Sequence, residues 1–166
     1  KVAIKTDPYP GVLLAIAACR PSSRGNVHAV SSDSADKPAI NPNFLSTEQD
    51  VTEAIAGSRL MRHIVQSPAL QQVIIEETIP GKQVQSDEEM LEFFRANSGS
   101  IYHLCGTCVM GKTEADSVVD SQLRVHGVQG LRVVDASVFP NVTSGNINAP
   151  VMMLAERAAE LILQSK

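Results

Sequence analysis

The chain has no tryptophan, and aromatic residues make up only 4% of it, two tyrosines and four phenylalanines. An aromatic cage around a quaternary ammonium needs several converging rings, so this chain alone does not build one. Cysteine is also scarce. There are three, an odd number, which excludes a complete disulfide framework. Strong charge of one sign is missing: 14 basic and 18 acidic residues are interspersed, for a net charge of −4. Without a basic stripe, a nucleic-acid partner is not expected. No apolar run approaches the ~20 residues of a membrane helix. The run 12-VLLAIAAC-19 is eight residues long, and with Lys1 and Lys5 upstream it imitates a secretory leader. The turn residues 7-DPYPG-11 interrupt that pattern, and 12–20 reads instead as a buried strand that hides Cys19. The chain opens on Lys1 rather than Met, which we read as a piece or a processed product of something longer. No targeting segment fixes a compartment, and a soluble, cytoplasmic location is the expectation.

With 43% apolar residues, a chain of 166 residues can bury a real core, as one domain or as part of a larger molecule. After the punctuation 21-PSSRG-25, a second strand is expected at 26–31, then a polar loop and an extended stretch at 40–44. Ser46 and Gln49 form a capping box that predicts a helix running to Pro68. A strand is expected over 72–79, closing at Pro80-Gly81. Ser86 and Glu89 form a second capping box, opening a helix through Arg95. From residue 101 glycine-rich turns separate short extended pieces at 118–120, 123–128 and 131–138. A turn-dense loop follows, then a last helix from Pro150 to about Gln164, with Asn148 as its expected N-cap. The fold class expected is α+β.

Chemistry concentrates in 101-IYHLCGTCVMG-111. His103 is a candidate base. Cys105 and Cys108 make a C-x-x-C pair, which raises the alternatives of a thiol switch or half a zinc site. A second pair does not exist, and His103 and His126 lack finger-like spacing. The strand-like surroundings differ from the helix start that a redox pair prefers, so the two cysteines are read as packing and no metal is expected. His63 is read as a surface residue.

The pieces 21-PSSRGNV-27, 38-PAINPNFLSTEQD-50, 102-YHLCGTCVMG-111, 118-VVDSQLRVHGVQGLRVVDAS-137 and 144-SGNINAPVMMLAERAAELI-162 together resemble the C-terminal part of a GMC (glucose–methanol–choline) flavoprotein oxidoreductase, close to its choline-dehydrogenase-like branch. The resemblance implies an antiparallel sheet of a substrate domain with flanking helices over 1–100. It also implies an active-site motif and a closing helix over 101–166 that return to an FAD domain. That FAD domain, the N-terminal part of the same protein, is then the main partner. The glycines at 106, 111, 127 and 130 do not make a G-x-G-x-x-G turn, so the chief FAD-binding half is not in this sequence. By resemblance His103 is the catalytic base and Asn148 its partner, 45 positions on. Asp135, Ala136, Asn148, Ala149, Pro150 and Val151 are the expected FAD contacts. The implied reaction takes a small alcohol to an aldehyde, with the proton going to His103 and the hydride to the flavin, and this fragment alone is expected to be inactive. Two alternatives stand beside it: a non-enzymatic binding module of the same fold, or a thiol or zinc protein built on Cys105 and Cys108.

Overall fold

Two helix starts set the frame of the first hundred residues. The computed structural model describes residues 7–165, so Lys1 and Lys5 lie outside the description. Helix α1 spans Glu48–Val65, and helix α2 spans Asp87–Asn97 with the full reciprocal capping box of Ser86 and Glu89. The α1 cap falls one residue later than expected. Thr47, not Ser46, accepts the N–H of Asp50, while the Gln49 side chain turns to Glu53 instead of reaching back. Thr47 is the better placed residue because its hydroxyl also meets that of Ser22 at 2.6 Å.

The connector between the helices is tied to α1 by Arg62. Its guanidinium reaches Glu77 at 2.7 Å, the Val84 carbonyl at 2.7 Å and the Gly81 carbonyl at 3.2 Å. A forked, planar donor suits this three-way anchoring in a way a lysine does not. Arg59 of α1 also pairs with Asp87 at the start of α2.

Ahead of these helices, β1 (Asn26–His28) and β2 (Ala39–Asn41) pair antiparallel with Val27 opposite Ile40. Gly25 leads into β1 against the backbone of Asn41 and Pro42, where a Cβ has no room. With helices and this one sheet, the described residues are of α+β character, but the sheet is much smaller than expected. The strand expected over 26–31 ends at His28, and those over 12–20 and 72–79 do not form. Residues 11–20 are exposed throughout, Cys19 included, and Leu13 is 88% accessible. Within 72–79, a short 3-10 turn at Leu70–Gln72 runs into irregular chain in which Ile75 is 97% accessible. The apolar pattern is present in both, but a strand also needs a neighbour's backbone, and no described residue supplies one.

The main core belongs to the last third of the chain. Val119, Leu123, Val138 and Phe139 pack under Leu154 and Ala158 of helix α3 (Asn148–Gln164). Leu154 and Ala158 are four apart and so share one helix face. The short pieces expected between 118 and 138 appear as isolated bridges, Met110 with Val119, Val119 with Val125 and Arg124 with Arg132, rather than as strands. The last of them closes with a 3-10 turn at Ala136–Val138. Among the described residues no helix is long and apolar enough to cross a membrane.

One buried carboxylate clamps the loop before β1 onto α1. Asp50, 5% accessible, accepts the Ser22 N–H at 2.7 Å, the Ser22 hydroxyl at 2.9 Å and the Ser23 N–H at 2.9 Å. Burial by itself raises its pKa. Hydrogen bonds from the Ser23 hydroxyl, the two N–H groups and the Ser22 hydroxyl outweigh that and lower it from 3.8 to about 2. The folded form thus binds its proton more weakly than the unfolded chain. The resulting stability is present above the unfolded pKa and is lost as pH falls through 3.8 towards 2. Asp50→Asn should lower unfolding stability at neutral pH by about 2 kcal/mol. Denaturant titration should show that deficit shrinking as pH drops through this window, and a pH-independent deficit contradicts the assignment.

Candidate active site

The segment 101–111 is aimed by its backbone before any side chain acts. Tyr102 sits at φ +63°, a left-handed conformation that costs a tyrosine energy, and its N–H is held by the Ser100 hydroxyl at 2.9 Å. The turn presents His103, half-buried, at the surface. Gly106 then takes φ +91°, which a side chain disfavours. The N–H groups of Gly106 and Cys108 both donate to the Ser137 carbonyl, at 3.1 and 3.0 Å, and Met110 N–H donates to the Val138 carbonyl at 2.9 Å. The loop is therefore fastened to the Ala136–Val138 turn. Asp135 in turn caps that turn by accepting the Ser137 N–H at 2.7 Å.

Phe139, buried, carries the chain from this turn into the loop 140–147, which buried Ile147 closes at the foot of α3. Between them Gly145, at φ +149°, lets the loop bend, and the Asn146 carboxamide comes to His103. The contact is His103 Nε2 to Asn146 Oδ1 at 3.1 Å. With the carboxamide oxygen facing the ring, Nε2 donates. Turning the carboxamide over places Nδ2–H there and leaves Nε2 an acceptor, the form a base requires.

The residue that meets His103 in the structure is Asn146, two positions before the expected Asn148. Asn148 shares no hydrogen bond with His103 and instead points its Nδ2 towards the Met152 sulfur at 3.9 Å. It is not the N-cap either: Ile147 holds that position and Asn148 is the first helical residue. Two asparagines stand two positions apart in 144-SGNINAP-150. The loop asparagine reaches across, because a residue in the first turn is bound to the helix direction. Asn146 could have been found from its place ahead of the helix start, where the chain is still free to turn a side chain outward. Ser144, in the same loop, accepts from Arg20 Nε at 3.2 Å and Nη2 at 2.8 Å, a contact across 124 residues that no sequence signal marked.

The remaining expected residues differ in exposure. Asn148 and Ala149 are exposed, Pro150 and Val151 are half-buried, and Val151 N–H is already bonded to the Ile147 carbonyl. Ile147 offers no side-chain cap and Pro150 has no N–H, so the N–H groups of Asn148 and Ala149 are the donors left at the helix tip. Asp135 is exposed, with Ala136 half-buried beside it.

Cys105 packs against the core cluster, and burial pushes its thiol pKa up, with the nearby Arg24 charge pulling the other way. That favours the neutral thiol, the unreactive form. No group of three His, Cys, Asp or Glu side chains suited to a metal gathers among the described residues.

Comparison with known proteins agrees with the motifs. The GMC oxidoreductase family matches residues 21–155. An alcohol dehydrogenase [acceptor] of Pseudomonas putida is 44% identical over 154 residues, covering 93% of this chain. An oxygen-dependent choline dehydrogenase of Pseudomonas syringae pv. tomato is 46% identical over 147 residues, covering 89%. Among solved structures, an FAD-dependent oxidoreductase from Chaetomium thermophilum superposes with a TM-score of 0.84 at 32% identity, over 89% of this chain and 26% of that one. The chain spans 28% of the length of the first relative and 26% of the second.

If Cys105 and Cys108 serve packing alone, the Cys105→Ala/Cys108→Ala variant should keep its circular dichroism spectrum and lose at most about 2 kcal/mol of stability. Collapse of the fold, or a folded state that a chelator dissolves, contradicts that role.

Proposed function

The chain belongs to the GMC oxidoreductase family, and from that premise we propose that it forms the substrate side of an FAD-dependent enzyme that oxidises an alcohol to an aldehyde. The observation that carries the reading is the contact of His103 with Asn146. Removing hydrogen from an alcohol carbon requires the hydroxyl proton to leave while the oxygen is held. A neutral imidazole takes that proton at Nε2. A carboxamide has no basic site near neutral pH, so Asn146 is the donor to the oxygen as negative charge develops on it. Since the carboxamide cannot be the base, the proton falls to His103.

The family's cofactor is FAD, and a bound flavin supplies the hydride acceptor. Two features of this chain suit such a group. The uncapped start of α3 offers the N–H groups of Asn148 and Ala149, with the positive end of the helix dipole, to a carbonyl or anionic edge. Asp135 lies exposed at the start of the turn that holds the His103 loop, with half-buried Ala136 as the turn's first residue. Residues 101–166 then supply both the His103–Asn146 pair and the flavin-facing helix start, and residues 1–100 belong to the substrate domain. The phosphate-binding turn comes from an N-terminal portion of the full-length enzyme, which is the partner this surface meets. The exposed apolar runs at 12–20 and 72–79 fit the same reading, as segments covered or paired in the complete molecule. The relatives' names point to alcohols with and without a quaternary ammonium group as the substrate class.

In the full-length, FAD-loaded enzyme, His103→Ala should lower kcat/KM by about two to four powers of ten. Asn146→Ala should lower it by about a hundredfold, acting mainly in kcat. Asn148→Ala should stay within about threefold of the parent, as an exposed residue off the reacting oxygen. Full activity in His103→Ala removes the base, and a larger loss at position 148 than at 146 returns the partner role to Asn148.

A further inference from the structure

The loop that carries Asn146 is pinned at its two ends and can bend between them. Phe139 precedes it and Ile147 closes it, both buried. Its internal hydrogen bonds are local. Val142 N–H donates to Asn141 Oδ1 at 2.8 Å, and Gly145 N–H donates to the Thr143 carbonyl at 2.6 Å. Such bonds shape the bend, but they do not fix where its tip stands relative to His103. Gly145, at φ +149°, makes that tip easy to move. A contact from a remote part of the chain reaches it. Arg20 donates from Nε at 3.2 Å and from Nη2 at 2.8 Å to the Ser144 hydroxyl oxygen, two positions before Asn146.

Two charged donors on one oxygen hold it in the plane of the guanidinium, as a single donor cannot. The base of this arm is itself held. Pro21 restricts the backbone just after Arg20. Ser22 and Ser23 give their N–H groups to buried Asp50 at 2.7 and 2.9 Å, and the Ser22 hydroxyl meets that of Thr47, at the start of α1, at 2.6 Å. The same segment reaches towards the other half of the pair. Arg24 folds back onto the Pro21 and Ser23 carbonyls, and its charge acts on the Cys105 thiol, two positions from His103. Residues 20–24 thus touch the Asn146 loop and lie near the His103 loop, from one anchor on α1.

We propose that Arg20 is a positioning residue: through the Ser144 hydroxyl it holds the 140–147 loop so that the Asn146 carboxamide stays on His103. It touches no reacting atom. This rests on the alcohol-oxidising reading above and adds to it the group that sets the pair's geometry. A carboxamide that must meet a developing alkoxide within hydrogen-bond range tolerates little drift. Misplacement by about 1 Å can cost up to about a hundredfold in rate. The cost falls on kcat, where Asn146 acts, and not on alcohol binding.

The test uses the full-length, FAD-loaded enzyme, with kcat and KM read from flavin reduction by a primary alcohol. Arg20→Gln should lower kcat by about tenfold and leave KM within about twofold. Ser144→Ala should match it, and Ser144→Thr, which keeps the hydroxyl, should recover most of the loss. In an Asn146→Ala background Arg20→Gln should cost nothing further, because the group it positions is gone. Hydrogen–deuterium exchange gives a readout apart from activity. Amides of residues 140–147 should exchange faster in Arg20→Gln, while those of α2 stay as in the parent. Four results overturn the proposal: parental kcat in Arg20→Gln or Ser144→Ala, a threonine variant no better than the alanine one, a loss that persists in full without Asn146, or unchanged exchange in the loop. Where Arg20→Gln folds poorly, Ser144→Ala decides the matter, since it removes the same contact by deleting one oxygen. A parent enzyme whose flavin no alcohol reduces sinks the oxidation reading itself. A working parent with a kcat blind to Arg20 sinks only the positioning role.

Discussion

One hydrogen bond, between the His103 imidazole and the Asn146 carboxamide, joins side chains 43 positions apart in sequence. No local rule brings them together. They meet because the Ser137 carbonyl receives two N–H groups of the His103 loop, while the chain leaving that same turn runs on to Asn146. The core beneath, Val119, Leu123, Val138 and Phe139 against Leu154 and Ala158, fixes the turn and the helix relative to each other. A shift of one residue in the 106–110 hydrogen bonds would carry His103 away from its partner. The geometry of the pair is thus a property of the core, and the strained turn at Tyr102 persists because these bonds hold the residues after it.

The first part of the chain meets this site through polar links. Asp50 ties the 21–23 loop to the start of α1, and Arg20 continues that loop onto Ser144. Most of the apolar residues of the segment before it, Leu13 among them, remain at the surface. The division has a physical logic: buried contacts hold His103 and Asn146 together, and polar, solvent-facing links tie the first part of the chain to the same loop.

The parts of the fold that were legible in the sequence are those fixed by neighbours in sequence. The Ser86–Glu89 capping box specifies α2 with both hydrogen bonds as expected, and α1 and α3 follow from their helical periodicity and flanking turn residues. Strands were not legible in the same way. Residues 12–20 and 72–79 have strand-like apolar patterns, yet pairing depends on a second backbone far away in sequence. At the site, the helix cap expected at Asn148 falls on Ile147, and the side chain that reaches His103 is that of Asn146, in the loop ahead of the helix, which no local spacing marked. The Arg20–Ser144 link had no sequence signal, since neither residue belongs to a recognisable spacing.

The central claim is that positions 103 and 146 act on one oxygen as a unit. A double-mutant cycle with His103→Ala and Asn146→Ala, read as kcat/KM for flavin reduction in the full-length enzyme, tests it most directly. Coupled residues predict that the double variant loses far less than the product of the two single losses. Losses that multiply would mean that the two side chains touch in the structure but work independently, contradicting the account.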